Sequence, residues 1–137
     1  MKKYNLLLVY NQTLDKILMC HRVKEPYQGL INLPGGKVEA GETGMAAAYR
    51  ELFEETNIRQ SDITLHLLMR FDYHLQDCLV EVYLGKLKHE VTLIDEIHPL
   101  FWSDLTHDFF DQKIYAGEGN IGHLLEQAKM VQARLFS

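Results

Sequence analysis

Cysteine is scarce in this chain: Cys20 and Cys78 are its only two, far apart and outside any CxxC or finger-like spacing. Nothing therefore marks a secreted domain stapled by disulfides. Long apolar runs are missing as well. The opening run Leu6 to Val9 is too short for a signal peptide or a membrane span, and polar Asn11 and Gln12 follow it. A cytoplasmic location without membrane contact is the expectation. There is no cluster of Lys and Arg either, and 14 basic residues against 19 acidic ones leave a formal net charge of −5. A duplex-binding protein carries a basic patch, so extended nucleic acid is excluded as a main partner. Taken at face value, the acidity also speaks against any polyanion.

Chemical motifs are absent too. The seven histidines are scattered with no HxxxH or HExxH pattern, so a zinc site is not expected, and each reads as a surface or strand residue. No GxSxG or Cys/His arrangement suggests covalent catalysis. Pro34-Gly35-Gly36-Lys37 is not a P-loop, because Ile31 stands where the earlier Gly is required and no Ser or Thr follows the Lys. Repeats, Ser/Gly linkers and long like-charge blocks are lacking, which leaves one domain over residues 1–137.

The 137 residues are 47% hydrophobic and 24% charged, enough to bury a core without a disulfide or metal. Apolar runs at 4–10 and 17–22, separated by the turn-like stretch Asn11–Asp15, predict a hairpin. Pro34-Gly35-Gly36 is the strongest turn signal. Thr43 is a plausible N-cap for a helix running to Thr56, with Met45, Tyr49, Leu52 and Phe53 on an apolar side and Glu51, Glu54 and Glu55 on the other. Further strands are expected at 63–74, at 78–87 as a half-buried strand with Val80, Val82 and Leu84 inward, and at 98–103. A C-terminal amphipathic helix carries Ile121, Leu124, Leu125, Ala128, Val131 and Leu135. This order predicts a mixed sheet flanked by helices.

Three glutamates at helical spacing repel one another, so stability alone would not select them. Their company gives them a purpose. Glu39, Glu42, Glu51, Glu54 and Glu55 place five acids in residues 39–55 against the single Arg50. Clustered carboxylate oxygens suit a hard cation such as Mg²⁺ or Mn²⁺, which is commonly bound together with substrate phosphates.

Gly36-x5-Glu42-x7-Arg50-Glu51-Leu52-x-Glu54-Glu55-x-Asn57-Ile58 resembles the signature of the Nudix hydrolases, the box spanning residues 36–58, with eight of nine defined positions present. The departure is Asn57, where the family has glycine; Asn is the next most tolerant residue in the left-handed conformation of a helix end. The resemblance implies an α/β (α+β) fold, an α/β/α sandwich around a central mixed β-sheet. It also implies metal-dependent hydrolysis of a nucleoside diphosphate linked to another group. By the same resemblance, Glu51, Glu54 and Glu55 are metal ligands helped by the backbone carbonyl of Gly35, Arg50 orients the glutamates, and Glu42 fixes the loop–helix geometry. Glu55 and Glu96 are the candidates for the base.

Further positions are similar to the MutT-like members and the oxidised-purine nucleoside triphosphatases. Asp95-Glu96-Ile97-His98-Pro99-x-x-Trp102 resembles the segment carrying an additional metal-binding or catalytic glutamate, which assigns that role to Glu96. Arg22 stands where those enzymes place a phosphate-contacting arginine, and Lys37 is a second phosphate candidate. Asn32 matches a base-contacting asparagine, an amide able to read a purine edge. Glu118 and Asn120 are candidates for the same pocket, and Tyr27 and Trp102 for stacking on a base.

The resulting expectation is a Mg²⁺-dependent (or Mn²⁺-dependent) nucleoside triphosphate pyrophosphohydrolase acting on a purine or 8-oxo-purine (d)NTP, as monomer or homodimer. The alternatives are another Nudix substrate (ADP-ribose, a dinucleoside polyphosphate or a capped RNA end) and a nucleotide-sensing domain without turnover. On this reading the negative charge is half of a metal–phosphate site, and only extended nucleic acid stays excluded.

Overall fold

A computed structural model describes residues 2–73 and 77–136. Its elements run β1 (Lys2–Tyr10), β2 (Lys16–His21), β3 (Ile31–Asn32), α1 (Gly44–Thr56), β4 (His66–Tyr73), β5 (Cys78–Lys86), β6 (Leu100–Asp104) and α2 (Asn120–Phe136). His74, the last residue of one expected strand, lies outside the described residues. The two-residue β3 escaped the sequence reading, being too short to show a period.

The strands form one mixed sheet in the order β3-β2-β1-β5-β4, with β6 paired to β2. β1 and β2 make the expected antiparallel hairpin, meeting at Tyr10 and Ile17. β1 then runs parallel to β5 along its whole length, from Lys2 opposite Cys78 to Tyr10 opposite Lys86. Because side chains alternate across a strand, the consecutive Leu7, Leu8, Val9 and Tyr10 serve both faces, and all four are buried. Leu8 and Tyr10 join Ile121, Leu124, Leu125 and Ala128 of α2 in one core. Leu7 and Val9 join Ala48 and Leu52 of α1 in the other. The sheet is thus sandwiched between the two helices, as expected.

Two expectations are corrected. β5 is not half-buried: Glu81 and Tyr83 are 6% and 3% exposed, because the strand lies between β1 and β4 with cores on both faces. Glu81 is paired there with Arg70 Nε at 2.7 Å. On α1, Met45 and Phe53 do not join the core but are exposed, and Ala47, Ala48, Leu52 and Thr56 face inward instead. Small alanines let the helix lie close to the sheet, so the inward face is rotated away from the larger side chains. Phe53 stays partly exposed, with the Arg59 guanidinium 5.5 Å from the centre of its ring. No helix among the described residues is long and apolar enough to cross a membrane.

Candidate functional site

α1 begins where Thr43 Oγ1 accepts from the Ala46 N–H at 3.1 Å, and it ends where Asn57 turns left-handed at φ 71°. The Asn57 N–H donates to Phe53 O, and its Nδ2 donates to Thr92 O at 3.2 Å. Asn thereby does the work of the glycine found there in the family signature. Between these caps the helix carries Glu51, Glu54 and Glu55 towards the turn formed by Pro34, Gly35 and Gly36. That turn is squeezed between β1 and α1. A Cβ on Gly35 would collide with the Asn5 carbonyl, and one on Gly36 with the Glu51 carboxylate.

Arg50 organises the acids. Its Nε and Nη2 donate to both oxygens of Glu42 at 3.0 and 2.6 Å. Nη1 donates to Glu51 and Glu54 at 3.0 and 2.9 Å, and Nη2 also donates to Lys37 O at 2.9 Å. The Arg50 bonds, with help from the Glu39 N–H, hold the Glu42 carboxyl down to about 2. Glu55 is the opposite case. Burial pushes its carboxyl up to about 7, although the Gly35 N–H, which donates to it at 3.0 Å, and the charge of Arg22 both favour the ionised form. Burial also raises Glu51, against the pull of Arg50.

Glu51, Glu54, Glu55 and Glu96 line one cavity of about 180 Å³, together with Cys20 and His98. The Val23 N–H donates to His98 Nδ1 at 3.0 Å, and burial, Arg22 and Lys24 keep this imidazole below its ordinary pKa. By sequence alone His98 reads as an ordinary surface or strand residue. Its place two residues after Glu96 was the only signal available. The donor set fits a hard divalent cation in kind, because four carboxylates line one cavity and offer hard oxygen ligands. Among the described residues, no three acidic, His or Cys side chains already enclose a point where such an ion would sit. Glu51 and Glu54 are instead engaged by Arg50.

A second cavity of about 320 Å³ has Gly35 and Gly36 in its wall, with the Gly35 N–H bound to Glu55 of the first, and its walls also include Arg22, Tyr27, Asn32 and Asn120. Arg22 is held by the carbonyls of Pro26 and Lys24 at 3.1 and 3.5 Å. Asn32 Oδ1 accepts from the Leu33 N–H at 2.8 Å, which leaves the amide nitrogen as its donor. Glu118, left-handed at φ 56°, accepts hydrogen bonds from Tyr27 Oη at 2.9 Å and from Tyr73 Oη, both on the cavity wall. Tyr73, Phe71 and Asn5 are wall residues the sequence did not reveal. They come from strands whose neighbours only the sheet topology determines. Lys37 is exposed and lies outside both cavity walls. Trp102 packs against the α1-side core, away from both cavities.

The comparisons with known proteins agree with this architecture. The sequence profile described as NUDIX domain matches residues 4–121. The chain is 42% identical over 65 residues to an ADP-ribose pyrophosphatase of Methanocaldococcus jannaschii, a match covering 42% of this chain and 38% of that protein. It is 46% identical over 50 residues to a Mycobacterium tuberculosis protein provisionally named 8-oxo-dGTP diphosphatase 2, covering 36% of each. The chain thus spans less than two fifths of the length of the curated relatives it matches. Among solved structures, the C. elegans Ap4A hydrolase binary complex superposes with a TM-score of 0.78 at 24% identity, covering 96% of this chain and 99% of that one. With the matched profile spanning both cavities, the sandwiched sheet and the Arg50-bound glutamate helix, the chain belongs to the NUDIX domain family.

Proposed function

We propose that the chain is a Mg²⁺-dependent (or Mn²⁺-dependent) pyrophosphohydrolase that cleaves a purine or 8-oxo-purine nucleoside triphosphate to the monophosphate and pyrophosphate. The observation carrying this reading is the Gly35–Gly36 turn, which lines the cavity that holds Asn32 and aromatic rings while its Gly35 N–H donates to Glu55 of the carboxylate-lined cavity, so that the turn is the seam between the two. A phosphate chain crossing that seam has its base on one side and its scissile link on the other. Glu51, Glu54, Glu55 and Glu96 would hold the divalent cation, with Gly35 as a backbone partner. The cation, when bound, neutralises charge developing on the phosphates and makes an attacking water more acidic.

The remaining work falls to the chain itself. Water adds to one phosphorus of the α–β link, the bridging P–O bond breaks with its electron pair staying on the oxygen of the other phosphate, which leaves as pyrophosphate after attack at the α-phosphorus or as the monophosphate after attack at the β-phosphorus, and the water proton passes to a carboxylate. Glu55, the acid whose carboxyl burial raises in the metal-free chain, and Glu96 are the two candidates for receiving that proton. Arg50 keeps Glu51 and Glu54 from swinging away between turnovers. Arg22 offers a cation to the phosphates, and Lys37 could reach them only from outside the cavity walls. Asn32 presents an amide to the base, with Asn120 and the Tyr27–Glu118–Tyr73 group bounding the pocket.

A substrate panel with Mg²⁺ tests the reading. Purine (d)NTPs should be the best substrates, yielding monophosphate and pyrophosphate. Preference for ADP-ribose over every dNTP would overturn it in favour of the activity for which the M. jannaschii relative is named. Tight nucleotide binding with no hydrolysis of any substrate would favour a sensing domain.

A further inference from the structure

The turn formed by Pro34, Gly35 and Gly36 lies along the first half of β1 as a short antiparallel partner. The Asn5 N–H donates to Gly36 O at 2.8 Å, the Leu7 N–H donates to Pro34 O at 2.9 Å, and Lys37 bridges to Tyr4. In such a register Gly36 should return its own N–H to the Asn5 main-chain carbonyl. It does not. The Gly36 N–H donates instead to the Asn5 side chain, to Oδ1 at 2.9 Å. Asn5 is 2% exposed, and strand alternation puts its side chain on the α1 face of the sheet with Leu7 and Val9. The other end of the amide, Nδ2, is buried with no hydrogen-bond partner among the described residues. A bond on one end of a buried amide does not offset an unpaired donor on the other, so stability alone does not select Asn here.

A trans peptide is planar, so the Gly35 C=O and the Gly36 N–H of one unit point in opposite directions. The bond to Asn5 therefore aims the Gly35 carbonyl away from β1. Gly35, between the two residues bonded to that strand, also turns its own N–H away from it, to Glu55 Oε2 at 3.0 Å. The carbonyl is thus presented on the side where Glu55 stands. We propose that Asn5 is a positioning residue that sets the Gly35 carbonyl as a ligand for the divalent cation, its side chain rather than the ladder fixing the peptide between Gly35 and Gly36. This rests on the reading of the glutamate cluster as a metal site. Glu55 and Asn5 hold the peptide groups on either side of Gly35, so the carbonyl is oriented before the cation arrives.

The test reads metal binding and one peptide group rather than turnover. Backbone NMR follows the Gly35 carbonyl and the Gly36 amide, and calorimetry gives the Mg²⁺ affinity of wild type, Asn5→Leu and Asn5→Asp. In wild type without metal, the Gly36 amide should exchange with solvent about a hundredfold more slowly than an open amide, and added Mn²⁺ should broaden the Gly35 carbonyl. Asn5→Leu, which has the shape but no acceptor, should lose that protection and bind Mg²⁺ about tenfold more weakly. Asn5→Asp keeps an acceptor oxygen, so it should keep the protection and lose no affinity. A merely structural Asn5 would lower the melting temperature of Asn5→Leu and leave its Mg²⁺ affinity unchanged, which would overturn the proposal. So would a wild-type Gly36 amide that exchanges freely until metal is added, or a Gly35 carbonyl that Mn²⁺ leaves sharp. Neither of those results needs a variant to fold. Mg²⁺ binding that bypasses Gly35 sinks this inference alone. No binding of Mg²⁺ or Mn²⁺ sinks the functional reading and this inference with it.

Discussion

Arg50 makes five hydrogen bonds, and their pattern separates the acids into those that are held and those that can act. Glu42 is locked by a two-point contact and Glu54 by only one, with the Glu54 side chain 54% exposed. Glu54→Gln should therefore fold normally, with a melting temperature within a few degrees of wild type, and lose turnover by roughly a hundredfold or more. Steady-state kinetics with Mg²⁺ beside a thermal melt would check both halves. Glu42 predicts a different effect. Its folded-state pKa of about 2 lies below the ordinary 4.5, so its contribution is complete above about pH 4.5 and is lost as pH falls towards 2. Thermal melts across that window should decline more steeply for wild type than for Glu42→Gln; parallel declines would refute the assignment. The five acids and Arg50 are legible in the sequence because helical spacing puts them on one face. That Glu55 is the most desolvated of them is not, because its burial is caused by Cys20, Gly35 and the segment after β5, all distant in sequence.

At the scale of the element, α1 owes its ends to two residues outside it. Thr43→Ala should cost about 1 kcal/mol by leaving the Ala46 N–H without its cap. Asn57→Ala and Asn57→Gly both lose the bond to Thr92, so the difference between them isolates the left-handed backbone. The alanine variant should be less stable than the glycine variant by about 1 kcal/mol in urea unfolding. Both caps were visible in the sequence, since capping is local chemistry. The inward face was not. Met45 and Phe53 look like core by periodicity, but the sheet presses on Ala47, Ala48 and Leu52, and which stripe meets the sheet depends on close approach rather than on hydrophobicity alone.

For the whole molecule, the net charge of −5 is concentrated where residues 39–55 carry five acids and one base. A cation that binds this folded cluster and not the unfolded chain must stabilise the fold, by about 2.7 kcal/mol at a hundred times its dissociation constant. The melting temperature should rise with Mg²⁺ and return to its starting point with a chelator. The rise should be absent in the Glu54→Gln, Glu55→Gln double variant. A wild-type melting temperature indifferent to Mg²⁺ would remove the metal from the account.

The sequence by itself determined the mixed sheet with flanking helices, the capped helix and its carboxylate face, and the family signature. Each depends on period, cap or spacing within a short stretch. Only the tertiary structure decided which distant residues share a cavity. The pairing of β5 with β1 on one side and β4 on the other brings Leu6, Val80 and Tyr73 to the pocket, and the loop before β6 carries Glu96 and His98 to the glutamates. Such contacts are set by how layers pack across the sheet, and no local pattern in the chain encodes which side chains that packing leaves facing one another.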